Sequence, residues 1–294
     1  MRVEQRKANT QGSIRLNAVL LAAVVALAAF IHFKPAKDAS VEHPLSALKP
    51  AESRSIRIER AGAQPIVLDR KQDSWIITMP FAARADDSRV RQLLEILEAR
   101  AANRLAAADL ARFELERPAV QVTVDGQSFG FGMVNPVTRE QYVLTGGAVY
   151  AVSPRYGAAL PTGAAELASR QLFGTGEIPI RIGFKTFTVE QRDGKWRQTP
   201  AASDLSQDDF VRWVDEWRRA AAVRVEPQGK GKPLAEIRVQ MTGGAELALG
   251  LLAREPELVL LRADETLQYH FRADAAKRLL SPPNAAAEVP AAKK

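Results

Sequence analysis

The second half of this chain repeats the layout of its first at a spacing of roughly 120 residues, so it must fold as two copies of one unit burying their apolar faces together. The run Val90, Leu93, Leu94, Leu97, Ala101, Arg104, Leu105 returns as Phe210, Trp213, Val214, Trp217, Ala221, Arg224, Val225. That spacing marks one face of a helix, and the first such helix is expected to run to about Arg104. Upstream of each helix stands a strand that carries a Trp and ends in Pro, with Trp75 and Pro80 matched by Trp196 and Pro200. Downstream, Val120-Gln-Val122 answers Ile237-Arg-Val239, and Tyr150 through Leu160 answers Tyr269 through Leu280 with a drift of one or two positions.

Charge narrows the function classes. The chain has 294 residues and a formal net charge of +7, a value that by itself suggests nucleic acid. Six of the seven net charges, however, sit in the first 37 and last seven residues; 33 basic and 32 acidic residues remain between them. A near-neutral mixed surface offers no phosphate-binding stripe, so no nucleic-acid partner is expected.

The segment 14–33, uninterruptedly apolar at its centre from Ala18 to Ile31, is about 30 Å long as a helix, enough to cross a bilayer. A cleavable signal peptide and a buried core helix are the competing readings. The retained anchor is favoured because Lys37 and Asp38 stand where a cleavage site needs small residues. Arg2, Arg6, Lys7 and Arg15 on one side against Lys34 and Lys37 on the other put the N-terminus in the cytoplasm and the body in the periplasm of a bacterium, as a single-pass inner-membrane protein. With no cysteine, the chain has no disulfide, no thiolate nucleophile and no Cys-based zinc site.

The expected organisation is a cytoplasmic tail (1–13), transmembrane helix (14–33), tether with little regular structure (34–53), first repeat (54–162), linker (163–178), second repeat (179–281) and disordered tail (282–294). The fold class is α+β, each repeat an antiparallel sheet with an amphipathic helix packed on one face. Asp86, Asp87 and Ser88 supply capping oxygens for the first helix; Ser206 with Asp209 resembles a capping box for the second. Asp125-Gly126, Asn135-Pro136, Gly146-Gly147 and Asp193-Gly194 punctuate hairpins.

Ile56-Arg-Ile58, Leu68-Asp-Arg70 with Trp75, Pro80 with Ala85-Asp86, and Gly132-Met-Val-Asn-Pro136 with Tyr142 and Tyr150 together resemble the bacterial family DUF4340 over about residues 54–280. The segment from Leu167 to Phe173 is similar to the linker between that family's halves. The resemblance implies a membrane-tethered envelope protein associated with gliding-type ABC transporter components. It implies no catalytic residues.

Searched for chemistry, the chain offers little. Of His32, His43 and His270 only the last lies in the body, between Tyr269 and Phe271, where it reads as an ordinary strand residue. Neither a nucleophile elbow nor a phosphate loop is present, and Gly130-Phe-Gly132 and Gly243-Gly244 read as turns or a bulge. The pairs Asp86-Asp87 and Asp208-Asp209 are accounted for by helix-start electrostatics, and Trp213 with Trp217 by core packing, although exposed they would make a partner surface. By the resemblance, the candidate interaction loop is 135–140, with Asn135, Pro136 and Arg139; its aligned place in the second repeat, about Arg254 to Pro256, keeps only a Pro turn. The expectation is a non-enzymatic periplasmic accessory protein acting by protein contact, without cofactor or metal, with an ABC-type export or envelope assembly system as the expected partner class. Glycan or lipid binding in a groove between the repeats is the alternative, and a hydrolase the third reading.

Overall fold

Ile56 and Ile58 alternate with Arg57 and Glu59, and this period of two recurs in run after run, so the chain commits most of its length to strands with one face in the core. The computed structural model describes residues 42–201 and 205–284, together with Leu21, Ala23, Val24, Val25 and Leu27. The chain separates into one unit ending at Glu42 and another beginning at His43. Of the first, the five described residues are helical and exposed. No helix among the described residues is long and apolar enough to cross a membrane, and the expected span 14–33 lies, apart from those five, outside the described residues.

The second unit is mostly β-sheet with a few helices. Its first sheet contains β2 (Ser55–Arg60), β3 (Ile66–Lys71), β4 (Ser74–Met79), β5 (Ala83–Arg84), β7 (Arg104–Ala106), β8 (Val120–Val124), β9 (Gln127–Val134), β10 (Gln141–Thr145) and β11 (Ala148–Val152). Its second contains β12 (Pro179–Gly183), β13 (Thr188–Arg192), β14 (Lys195–Thr199), β15 (Arg224–Pro227), β16 (Ala235–Met241), β17 (Glu246–Ala253), β18 (Leu258–Arg262) and β19 (Leu267–Phe271). The spatial orders are β5-β4-β3-β2-β8-β9-β10-β11-β7 and β14-β13-β12-β16-β17-β18-β19-β15. With β5 set aside, the two sheets have the same order. The helices fall at matching points: α1 (Asp87–Leu94) and α3 (Gln207–Arg218) after β4/β5 and β14, α2 (Arg155–Ala158) and α4 (Ala273–Leu280) after β11 and β19.

Register makes the correspondence exact to the residue. Gly130 pairs with Leu144, and Gly250 with Leu261. A Cβ on Gly130 would lie 2.7 Å from the Pro118 ring, and one on Gly250 2.8 Å from the Pro233 ring. Both glycines are therefore mid-strand positions where a proline leaves no room for a side chain; of the turn or bulge read for Gly130-Phe-Gly132, the ladder has the bulge, where its register shifts between Phe131 and Val134. One step further on, Tyr150 pairs with Arg104 and Tyr269 with Val225, so Arg104 answers Val225 and the sequence match of Arg104 to Arg224 slips by one.

The first helix is shorter than its periodicity predicts. After α1 come a 3₁₀ turn, Glu95–Glu98, a short strand β6 (Arg100–Ala101) and then β7. Leu97, Ala101 and Leu105 are four apart, a step that keeps one face in a helix and, being even, also in a strand. The choice falls to pairing: β1 (His43–Pro44) bonds with β6 and β11 with β7. The expected tether is thus docked from His43 onward, with Leu45 buried and its N–H bonded to Ala99 O at 3.1 Å. The start of the expected tail is held too: Asn284 O accepts a hydrogen bond from Arg212 Nη2 (2.9 Å), just beyond Ser281, whose O accepts from Trp213 Nε1 (2.8 Å).

Val90, Leu93 and Leu94 of α1 and Phe210, Trp213, Val214 and Trp217 of α3 join the inner faces of both sheets in one core. Asp86 caps α1 through Ser88 and Arg89 N–H, and Ser206 with Asp209 forms a complete capping box on α3. The linker is part of the fabric. Its Ala168 bridges Ala85 and its Gln171 bridges Ala221, so one extended segment bonds to both halves, while Phe173 packs 6.5 Å from Trp217.

Candidate functional site

The loop 135–140 joins β9 to β10 and is held from within. Asn135 Oδ1 accepts from Val137 N–H (2.9 Å) and Thr138 N–H (3.2 Å), Asn135 N–H donates to Glu140 O (2.7 Å), and Arg139 N–H donates to Asn135 O (2.9 Å). Asparagine suits this place because its short amide mimics a backbone turn. Arg139 closes the loop with φ of 62°. Asn135 Nδ2 also donates to Tyr142 Oη at 2.8 Å, and Tyr142 packs 4.6 Å from Phe113, over which Arg112 lies at 4.3 Å. The loop thus stands on a small outer cluster of Phe113, Leu115 and Val149. Asn135 and Arg139 are brought together by backbone bonds; Pro136 lies exposed between them. At the apex Val137 is 87% exposed, beside Val134 at 43%.

A second site was not legible in the sequence. Where the halves meet, Arg84 of β5 donates through Nε to Glu265 Oε1 at 2.5 Å and through Nη2 to Gln171 O at 2.9 Å. Arg262, 2% exposed at the end of β18, donates to both Glu177 oxygens at 2.8 Å, to Asp264 at 2.7 Å and to Leu172 O at 2.7 Å. Tyr269 Oη donates to Glu265. Burial alone would raise the Glu177 carboxyl, but the hydrogen bonds from Arg262 and Gly174 N–H prevail and hold it at about 2. Burial works against the Arg262 charge, yet its bonds to Glu177 and Asp264 leave it raised overall; burial and the neighbouring Glu265 both raise the Tyr269 hydroxyl. Four elements converge here, and each charged group is spent on another. Beside the cluster opens a cleft of about 410 Å³ lined by Trp75, Arg84, Asp86, Arg170 and Phe173.

The one signal for this cluster was a charge closing an otherwise apolar strand, Leu258-Val-Leu-Leu-Arg262. Its equivalent position in the first sheet is Thr145, also buried, which accepts a hydrogen bond from Gln127 at 3.0 Å.

The other candidates take structural places. Trp213 and Trp217 are buried, with Trp217 Nε1 donating to Leu279 O at 3.1 Å. His270 lies under an edge group: Arg224 Nη2 is 3.0 Å from Nδ1, Glu257 Oε2 is 3.3 Å from Nδ1, and Glu226 Oε2 is 3.5 Å from Nε2. Hydrogen bonds from Arg224 hold both carboxyls below their usual range. Among the described residues no group of three or more His, Cys, Asp or Glu could hold a metal ion.

No curated protein and no solved structure matches the chain. A family model described as a domain of unknown function matches residues 75–227, from the Trp of β4 to the end of β15. That stretch is more than half of the chain and contains the loop, the linker, Arg84 and both main helices, and the chain accordingly belongs to the DUF4340 family.

Proposed function

We propose that this chain is a non-enzymatic accessory protein, anchored in the bacterial inner membrane by residues 14–33 with its body in the periplasm, that works by holding another envelope protein. The two sheets with their helices descend, on this reading, from one duplicated unit, and the matching strand orders and the Gly130/Gly250 register support it. The observation that carries the contact role is Val137. An exposed apolar side chain on an ordered loop has already lost its backbone freedom, so a partner that covers it gains burial without the ordering cost of a floppy segment. An ABC-type export or assembly system is the partner class that the family resemblance suggests.

Complementation of a deletion strain tests the reading. Val137→Asp should fold, since the side chain is exposed, and should lose function; deleting 14–33 should lose it by releasing the body. Full function in both variants would end the proposal. A second reading, capture of a glycan or lipid, is favoured by the cleft beside Trp75, which the first half and the linker line, and quenching of tryptophan fluorescence by such a ligand would support it.

A further inference from the structure

The connection between β15 and β16 differs from its counterpart in the first half. There, the chain between β7 and β8 folds back and places Phe113 and Leu115 on the outer face of the sheet. Here residues 228–234, Gln-Gly-Lys-Gly-Lys-Pro-Leu, are exposed throughout. The loop is pinned at its two ends: Gln228 N–H donates to Thr266 O and Leu234 N–H to Leu251 O, at 2.8 and 2.7 Å, while Pro233 packs on Gly250. Between the pins, Lys230 and Lys232 project. Lys185 and Leu234 both line a groove of about 530 Å³.

Charge and exposure define what fits this end of the molecule. Arg238 is paired with Glu236 at 2.7 Å, Arg181 at 3.7 Å shares Glu190 with Arg192 at 2.7 Å, and Glu246 is the one acid of the groove without an ion pair among the described residues. Lys185, Lys230 and Lys232 make no ion pair among the described residues, so the patch carries a local surplus of positive charge on a body that is otherwise close to neutral. Leu234, 71% exposed, sits among them. Lysines around an exposed leucine match an anionic bilayer surface, where the ammonium groups meet headgroup phosphates and the leucine enters the acyl boundary. A nucleic acid would use the lysines but leave Leu234 in water.

We infer that the 228–234 loop with Lys185 is a membrane-docking surface for anionic phospholipid, holding the body down on the bilayer. The inference rests on the membrane-tethered reading above and adds an orientation to it: a body tied by its N-terminus alone could turn freely, whereas this contact fixes which face meets the membrane.

The chain has no cysteine, so Leu234→Cys gives a single attachment point for an environment-sensitive fluorophore. The full-length labelled chain is mixed with vesicles of phosphatidylcholine alone or with phosphatidylglycerol added, and flotation and emission are read together. The expected result is a blue shift with the anionic vesicles only, abolished in Lys185→Glu/Lys230→Glu/Lys232→Glu with a loss of roughly 100-fold in the loop's partition. Flotation with both lipids but emission that stays aqueous overturns the docking surface and leaves the tether standing. A blue shift that is equal in neutral vesicles, or that survives charge reversal, also overturns it. Failure to float with either vesicle overturns tether and loop together.

Discussion

Arg84, on the edge strand that only the first sheet possesses, donates its Nε proton at 2.5 Å to Glu265 in the turn between β18 and β19, and Glu265 is in turn bonded by Tyr269. This contact, with Arg262 and Glu177 beside it, joins the halves through charge where the rest of the core joins them through apolar packing. Breaking one side of such a group leaves its partner buried and unpaired. Arg262→Ala should therefore destabilise by about 3–5 kcal/mol. Arg84→Ala, whose side chain is 24% exposed, should cost about 1–3 kcal/mol. Denaturant midpoints of the two variants check the order; equal, sub-kilocalorie losses would show that the cluster contributes nothing.

Acid should loosen the same junction. Glu177 is held at about 2, below its value in the unfolded chain, so the unfolded state binds more protons between these limits and stability rises with pH there. Its contribution is complete above pH about 4.5 and is lost as pH falls towards 2. Thermal midpoints across that window should fall more steeply for the natural chain than for Glu177→Gln. Parallel curves would contradict the assignment.

The duplicated glycines make a symmetric prediction. Because an added Cβ would meet a proline ring at 2.7 Å in one sheet and 2.8 Å in the other, Gly130→Ala and Gly250→Ala should each destabilise by about 1–3 kcal/mol, in near-equal amounts. A large effect at one position and none at the other would mean that the halves pack differently despite their common strand order.

His270→Gln should leave cellular function intact. A glutamine amide can still accept from Arg224, and nothing in the proposed role needs the imidazole to carry a proton. Lost function in a stably folded, normally localised variant would reopen the search for chemistry at that edge.

Much of the fold was visible in the sequence because strand alternation, helix caps and turn residues are local signals. Trp75 and Trp196, Asp86 and Ser206, and the order of the hairpins could all be read from neighbours within a few residues. The end of the first helix could not, because Leu97, Ala101 and Leu105 satisfy both periods and only the strands waiting at β1 and β11 decide between them. The junction was hidden for a different reason. Arg84 and Glu265 are 181 residues apart, and a buried charge cluster has no period to betray it. The loop at Asn135 was found through family resemblance, yet its structural value, an anchored apex with an exposed valine, depends on Tyr142 and Phe113, which no spacing connects to it.

Contact through that apex is tested by a photo-crosslinking residue at Val137 of the full-length protein, irradiated in cells. One discrete adduct with an envelope protein is expected, strongly reduced when Asn135→Ala releases the loop. No adduct at Val137, or the same adducts from an exposed position elsewhere such as Gln72, would contradict it.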